Sequence, residues 1–291
     1  MSDLVTDLVS DLVTDHDGDL GRGPTIAFIG GGNMASAIIG GLVAQDFPAD
    51  DIIVANPGVG RRLQLSEKFG VHTTDSVAEA VSEALVVVLA VKPDVLGSVL
   101  EEIAAAKAIK DRLFISVVAG KPLKVFEKIL GSEASIVRTM PNTPALVGSG
   151  ATGLYANKNV SDAHLSTAVA LMSAVGICVP LEKEADLDTV TALSGTGPAY
   201  FFLLMEEMIK TGERLGLDRD VARALTLQTA LGAAELAVSS DEGPETLRRR
   251  VTSPNGTTEQ AIGSLMSSGF GPLIEQAIRK AWRRAAELAG S

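Results

Sequence analysis

Three turns in this chain combine residue types that suit ligand binding. The first is Gly30-Gly31-Gly32-Asn33-Met34-Ala35, which follows the β-rich run Thr25-Ile26-Ala27-Phe28-Ile29 and opens a helical pattern. Read as Gly30-x-Gly32-x-x-Ala35, it is a variant of the dinucleotide-binding turn. Gly30 permits the tight strand-to-helix reversal, Gly32 lets a pyrophosphate approach the backbone, and Ala35 is small enough for helix and strand to pack closely. Free N–H groups and the helix dipole would then hold the pyrophosphate. Glycines also punctuate ordinary turns, so the motif gains weight from its context of strand before and helix after. The other two turns are Leu193-Ser194-Gly195-Thr196-Gly197-Pro198-Ala199-Tyr200 and Val251-Thr252-Ser253-Pro254-Asn255-Gly256-Thr257-Thr258. Each is rich in glycine and hydroxyls and leads into a helical pattern. Such turns either bind a small anion, for example a carboxylate, or simply cap two helices.

The elements that must position these turns read as follows. Helix is expected at Met34–Gln45 and strand at Ile52–Ala55, then helix from Arg61 to Phe69 and a short strand near Val71. Helix Val77–Glu83 precedes the unbroken apolar run Leu85–Val91, as expected of a central parallel strand buried on both faces. Lys92-Pro93 ends it. Further strands are expected at Leu113–Val118, Ser135–Met140, Thr152–Tyr155 and Ile177–Leu181, with a helix at Asp162–Ala174. This alternation predicts a Rossmann-type, doubly wound α/β sheet. From Glu182 the composition turns to Ala, Leu and Glu, and helices are expected near Ala185–Leu193, Pro198–Gly216, Asp218–Val238, Glu245–Val251, Thr257–Ser268 and Gly271–Ala289. Pro198 and Asp218 are good helix-start residues. Three segments result: an acidic low-complexity tail over 1–23, a dinucleotide-binding domain over 24–182, and an all-helical substrate and dimerisation domain over 183–291. Ala- and Gly-rich Thr229–Ala237 allows close helix packing, and a small helical domain of this kind is expected to bury its surface in a homodimer.

At the end of the second strand, NAD sites usually place an acid for the ribose hydroxyl, and NADP sites use Arg instead. This chain has Ala55-Asn56-Pro57 and then Arg61-Arg62, with no carboxylate at the strand end. NADPH is therefore the expected cofactor, NADH remaining an option, with Asn56, Arg61 and Arg62 near the additional phosphate. The alternative is that both arginines only decorate a solvated helix face. Met140-Pro141-Asn142-Thr143-Pro144 is a stiff polar loop, in which Asn142 suits a nicotinamide carboxamide or simply shapes a turn.

The chain has 291 residues, 46% hydrophobic and 21% charged, with a net charge of −11. That length suits two domains. The charge argues against nucleic-acid binding. No apolar run is long enough for a membrane span. Cys178 is the only cysteine, and His16, His72 and His164 are scattered. Neither a disulfide framework nor a metal site is expected, and a reducing, cytoplasmic setting is. The first 23 residues repeat Asp-Leu-Val from Asp3, Asp7 and Asp11; with no Lys or Arg before Arg22 they do not read as a secretory signal.

The combination of motifs resembles the pyrroline-5-carboxylate reductase family. The resemblance runs from about Thr25 to Glu287 and rests on Phe28 to Ala35, Ala90-Val91-Lys92-Pro93, Met140 to Pro144, Ser194 to Tyr200 and Thr252 to Thr258. The first motif is shared by many dehydrogenases; the last three together are specific to the family. The resemblance implies that Ile29, Gly30, Gly31, Gly32, Asn33, Met34 and Ala35, with Val91, Lys92 and Pro93, hold the dinucleotide, with Asn56 near the ribose phosphate. It implies that Ala119 and Gly120 lie along the nicotinamide half. It further implies that Ser253, Gly256, Thr257 and Thr258 cradle the substrate carboxylate and ring, with Thr258 at the ring nitrogen and Glu184 near the ligand. The family allows dimers to assemble further into a ring. One departure is Asn255, where the family usually has Gly; Asn tolerates left-handed backbone.

A cyclic imine needs a hydride at carbon and a proton at nitrogen. Once protonated it is already electrophilic, so positioning suffices and no strong base or metal is required. A β-hydroxyacid dehydrogenase has the same two-part layout, but that family carries a catalytic Lys with an Asn four residues on. Here Lys210 is followed by Arg214. A nucleotide-sensing regulator without turnover would not need the Ser253–Thr258 turn.

Overall fold

The structure is a computed structural model and describes residues 25–107 and 109–290. The acidic tail expected over 1–23 lies outside them. Two compact units emerge, one comprising residues up to Gly195 together with those from Trp282 on, the other Thr196–Ala281.

The first unit is built on an eight-stranded sheet. Its strands are β1 (Ile26–Ile29), β2 (Ile52–Ala55), β3 (His72–Thr74), β4 (Val86–Leu89), β5 (Leu113–Ser116), β6 (Ser135–Met140), β7 (Gly150–Ala156) and β8 (Gly176–Pro180), in the spatial order β3-β2-β1-β4-β5-β6-β7-β8. The helices between them are α1 (Asn33–Val43), α2 (Val59–Phe69), α3 (Val77–Glu83), α4 (Leu96–Ala105), α5 (Leu123–Leu130) and α6 (Asp162–Ser173). Alternate strand residues enter opposite layers. Ile26, Phe28, Val88 and Ile115 join one core with Ile38 and Leu42 of α1. Ala27, Ile29, Val87 and Phe114 join the other with Leu100 of α4 and Phe126 of α5. Burial on both faces explains why β4 reads as an unbroken apolar run.

Two features depart from the expected pattern. The helices α4 and α5 carry no start signal, since neither Val95 nor Pro122 supplies a side-chain cap. The strand β7 runs antiparallel to β6, while all other pairs are parallel. The connection between them holds only the 3-10 turn Thr143–Val147, too short for the crossover helix that parallel pairing needs.

Beyond β8 the first unit adds α7 (Asp186–Val190), which runs into a π-helical turn, Thr191–Gly195. The second unit holds α8 (Gly197–Arg214), α9 (Arg219–Ser239), α10 (Pro244–Arg250), α11 (Thr257–Ser267) and most of α12 (Phe270–Gly290). Pro198 occupies the first turn of α8, and Asp218 caps α9 by accepting from the Asp220 N–H. Gly212 of α8 meets Ala222 of α9, so these two helices pack through small residues. No helix among the described residues is long and apolar enough to cross a membrane.

Candidate active site

The order β2-β1-β4 places a topological switch point between β1 and β4, and ligands of such sheets bind outside the carboxyl ends of the strands there. The glycine turn leaves β1 at that point. Its Gly30 N–H donates to the Ala55 carbonyl of β2 at 2.9 Å, and the Ala90 N–H, after β4, donates to the Ile29 carbonyl at 2.8 Å. Gly30 has φ of +99°, and a Cβ there would stand 2.5 Å from the Ala90 carbonyl oxygen. A Cβ on Gly31 would meet Leu65 at 2.6 Å, whereas one on Gly32 would point into open space. Two glycines are thus closed against protein and the third faces outward.

The outward face has the chemistry of an anion cradle. Gly32 is the N-cap of the eleven-residue helix α1, supplies no side-chain cap, and is followed by no acid in the first turn. The first-turn N–H groups, at Asn33, Met34 and Ala35, lie where the dipole is positive. This turn fits a dinucleotide pyrophosphate: it leaves room at Gly32 and offers donors without a competing carboxylate.

Around the turn, Asn56 accepts from the Gly31 N–H through Oδ1 at 3.2 Å. Arg61 lies over the turn, donating to the Gly31 and Gly32 carbonyls and to Ser36 Oγ. Arg62 bonds the carbonyls of Asn56 and Pro57 and pairs with Asp75. Val91 is half-buried, and Lys92 and Pro93 are exposed on the loop after β4.

After β5, Ala119 is exposed and Gly120 has φ of +69°. They line a small cavity with Arg138, Asp188, Thr191 and Leu288. Its charged lining residues, Arg138 and Asp188, are not singled out by the sequence, which points only to their neighbour Glu184. Glu184 Oε1 accepts from Arg138 and, at 2.7 Å, from the Leu123 N–H. It thereby caps α5, which has no cap of its own. Burial raises the Asp188 carboxyl above the usual carboxylate range; Arg138 opposes the shift and Glu184 adds to it. An arginine in the middle of a buried strand, Ser-Ile-Val-Arg138-Thr-Met, is the signal that could have revealed this cluster, because such a charge is rarely buried unpaired. Asn142 is buried, with Oδ1 accepting from the Ala151 N–H at 2.8 Å and Nδ2 donating to the Ser194 carbonyl at 3.0 Å. Its amide therefore ties its own loop to β7 and to the π-helical turn, a structural use alongside the nicotinamide contact expected of it. Burial pushes the Cys178 thiol up to about 12, so it is no nucleophile.

In the second unit the Ser253–Thr258 turn is folded on itself. The Gly256 N–H donates to the Ser253 carbonyl at 3.0 Å. Asn255 has φ of +59°, as its left-handed tolerance leads one to expect, and its N–H reaches Glu259 Oε2 at 2.8 Å. Gly256 is the N-cap of α11 and gives no side-chain cap. Ser253 and Thr257 are exposed and Thr258 is half-buried at the head of that helix. Hydroxyls and helix N–H groups are therefore presented together, the composition of a carboxylate nest. In the other hydroxyl-rich turn, Thr196 Oγ1 and Tyr200 OH are 2.7 Å apart within the first turn of α8.

Residues 184–288 match the model for pyrroline-5-carboxylate reductase dimerisation, and residues 25–120 match that for NADP oxidoreductase, coenzyme F420-dependent. The chain is 54% identical over 267 residues to a pyrroline-5-carboxylate reductase of Pseudomonas aeruginosa, covering 91% of this chain and 97% of that protein. It belongs to the pyrroline-5-carboxylate reductase family. A reductase of this family from Coxiella burnetii has a structure similar to this one, with a TM-score of 0.88 and 43% identity over 91% of this chain and 98% of that one. The Plasmodium falciparum pyrroline carboxylate reductase, solved with NADP bound, gives a TM-score of 0.81 at 31% identity over 91% of this chain and 98% of that one. The fold class expected from the sequence, a Rossmann-type sheet followed by a helical dimerisation domain, is the fold of this family.

Proposed function

We infer that this chain is an NAD(P)H-dependent oxidoreductase that reduces the cyclic imine 1-pyrroline-5-carboxylate to L-proline, the last step of proline synthesis. One observation carries the reading: a pyrroline-5-carboxylate reductase matches this chain across both units, over 97% of its own length. The pyrophosphate cradle before α1 and the hydroxyl turn before α11 supply the chemistry that the reaction needs.

Bound NAD(P)H supplies the hydride. The chain's own contribution is to bind and orient. The first-turn N–H groups of α1 hold the pyrophosphate, and Val91, Lys92 and Pro93 flank it from the loop after β4. Asn56 and Arg61 face the adenosine ribose, with Arg62 behind them on the Asn56 and Pro57 carbonyls, and Ala119, Gly120 and Asn142 belong to the nicotinamide half. Ser253, Gly256 and Thr257 receive the substrate carboxylate at the N-terminus of α11. The Thr258 hydroxyl accepts a hydrogen bond from the ring N–H of the protonated imine, holding it in one orientation, and Glu184 is a further residue assigned to the ligand. Holding two reactants in attack geometry is worth several powers of ten in rate, so an active site without a strong acid or base is sufficient for an electrophile of this kind.

The dimerisation match over residues 184–288 supports a homo-oligomer with the dimer as its unit; a ring of dimers is the further assembly that the family resemblance allows. A reducing cytoplasm accords with the single, half-buried cysteine. Loss of NADPH absorbance on adding pyrroline-5-carboxylate to the purified protein, with proline as the product, tests the assignment. No turnover with either nicotinamide would remove it.

A further inference from the structure

Arg61 and Arg62 are adjacent in the first turn of α2, yet the step of about 100° between successive helical residues sends them to different neighbours. Arg62 is a fastener. Its Nη1 donates to the carbonyls of Asn56 and Pro57 at 2.7 and 3.0 Å, and Nη2 pairs with Asp75 at 3.4 Å. Its side chain is only 17% exposed, and its charge faces a carboxylate. Arg61 is held differently. Nε donates to the Gly31 carbonyl, Nη2 to the Gly32 carbonyl at 3.2 Å and to Ser36 Oγ at 2.6 Å, and Nη1 to Gln64 Oε1 at 2.5 Å. Two carbonyls, a hydroxyl and an amide fix the guanidinium, and none of these partners is an anion.

A fixed cation thus stands beside the positive end of α1, whose first turn contains no acid. Two positive features side by side, with no anion between them, destabilise each other unless a ligand completes them. The strand end next to them, Ala55-Asn56-Pro57, offers no carboxylate either, so nothing there repels an additional phosphate or binds a bare ribose diol in the usual NAD manner. We propose that Arg61 is the residue that selects a 2′-phosphorylated adenosine ribose, and that Arg62 only secures the connection between β2 and α2. This rests on the NAD(P)H-dependent reading above and divides between two residues a role that their spacing alone would give to both. A guanidinium already locked by four neighbours loses little further freedom when a phosphate adds to it, and of its five N–H groups one, on Nη1, remains to donate. Because Arg61 also braces the Gly31 and Gly32 carbonyls, its removal disturbs the turn for either cofactor. The selective part appears only in the ratio.

The test uses the full chain and the variants Arg61→Ala, Arg61→Lys and Arg62→Ala. Titration calorimetry with adenosine 2′,5′-bisphosphate and with adenosine 5′-monophosphate reads recognition directly and is independent of turnover. Steady-state kcat/KM with NADPH and NADH reads it in catalysis. The expected result is that the wild type binds the bisphosphate more tightly than the monophosphate. Arg61→Ala should cut the bisphosphate preference and the NADPH/NADH ratio about tenfold to a hundredfold, the range for a charge-assisted hydrogen bond. Arg61→Lys should keep part of both. Arg62→Ala should lower the melting temperature and leave the ratio within about twofold. A ratio that collapses in Arg62→Ala and survives in Arg61→Ala overturns the proposal, and so does a wild type that binds the two probes equally.

Discussion

Phe28 in the sheet is fully buried, whereas Phe202 in α8 is 62% exposed in the single chain. The same contrast holds more widely. In the first unit, β1, β2, β4 and β5 are buried at every position. In the second, α10 and α11 bury nothing, α9 buries only Ala222 and Thr226, and Leu225 is 58% exposed. A sheet covered on both faces completes its own core. A set of helices with aromatic and aliphatic side chains in water does not, and exposed apolar surface on that scale marks an association surface. The first unit therefore completes its own core beneath the glycine turn, and the second presents an apolar surface for association.

One pair of substitutions tests this contrast with the largest effects. Phe28→Ala should cost about 3–5 kcal/mol of folding stability, through lost burial and the cavity left behind. Its denaturation midpoint should fall sharply, with the dimer still forming among the molecules that fold. Phe202→Ala is the same chemical change at an exposed site, and alone it should shift stability by no more than about 0.5 kcal/mol. Its effect should appear in sedimentation, as a dimer that dissociates at higher protein concentration. A protomer that remains fully dimeric at low concentration after Phe202→Asp would show that this face is not an interface.

Next in size is the effect expected from the catalytic role proposed for the hydroxyl turn. Thr258→Ala should lower kcat/KM for the imine about tenfold to a hundredfold, the range for one hydrogen bond to a charged group. Cofactor binding, assigned above to the first unit, should stay unchanged. Unaltered turnover at saturating NADPH would remove Thr258 from the ring nitrogen.

How far the sequence discloses these two regions differs in a physical way. The sheet announces itself because its strands repeat one local pattern: Val86-Val87-Val88-Leu89 is apolar throughout since both faces are covered. The glycine turn is legible for a similar reason, because the backbone geometry at Gly30 admits no side chain. The crossover helices α4 and α5 are harder, lacking caps at Val95 and Pro122. The direction of β7 is decided by a connection length, which only matters once the neighbouring strand is known. Least legible are the pairings made at long range. Arg138 meets Glu184 across 46 residues, and Asn142 meets Ser194 across 52. Neither partner has a local reason to be where it is: the resemblance alone gives Glu184 as a ligand neighbour, the sequence leaves Asn142 between a nicotinamide contact and a turn, and the fold shows structural partners for both. The division of labour between Arg61 and Arg62 is of the same kind, since identical neighbours differ only in what lies opposite them.

A smaller effect follows from the cavity wall. Burial raises the folded-state pKa of Asp188. A carboxyl raised in this way favours the folded state when protonated, so that contribution is present below its unfolded pKa and is lost as pH rises through the folded one. Asp188→Asn should therefore be more stable than the wild type at neutral pH, and the advantage should shrink as pH falls through the carboxylate range. Thermal melts at pH 7 and pH 4 measure it. An advantage that grows toward acid would mean that Asp188 is held as an anion by Arg138, and that the pairing outweighs the burial.

The smallest expected effect lies at Asn255, and it separates the shape of the substrate turn from its side chains. With φ of +59° this residue is left-handed, a conformation that costs an ordinary L-residue about 1–2 kcal/mol and Asn less. Its backbone bond from N–H to Glu259 Oε2 is available to any non-proline residue. Asn255→Gly relieves the Cβ strain but adds freedom to the unfolded chain, two terms of similar size and opposite sign. Stability should then change by less than about 1 kcal/mol, with the imine KM unaltered. Asn255→Val, by contrast, adds a branched Cβ to the same backbone and should cost more than Asn255→Ala, with KM rising as the turn opens. If Asn255→Gly raised KM as much as Asn255→Val does, the Asn side chain itself would be a substrate contact, and the nest would depend on an amide as well as on its hydroxyls and helix N–H groups.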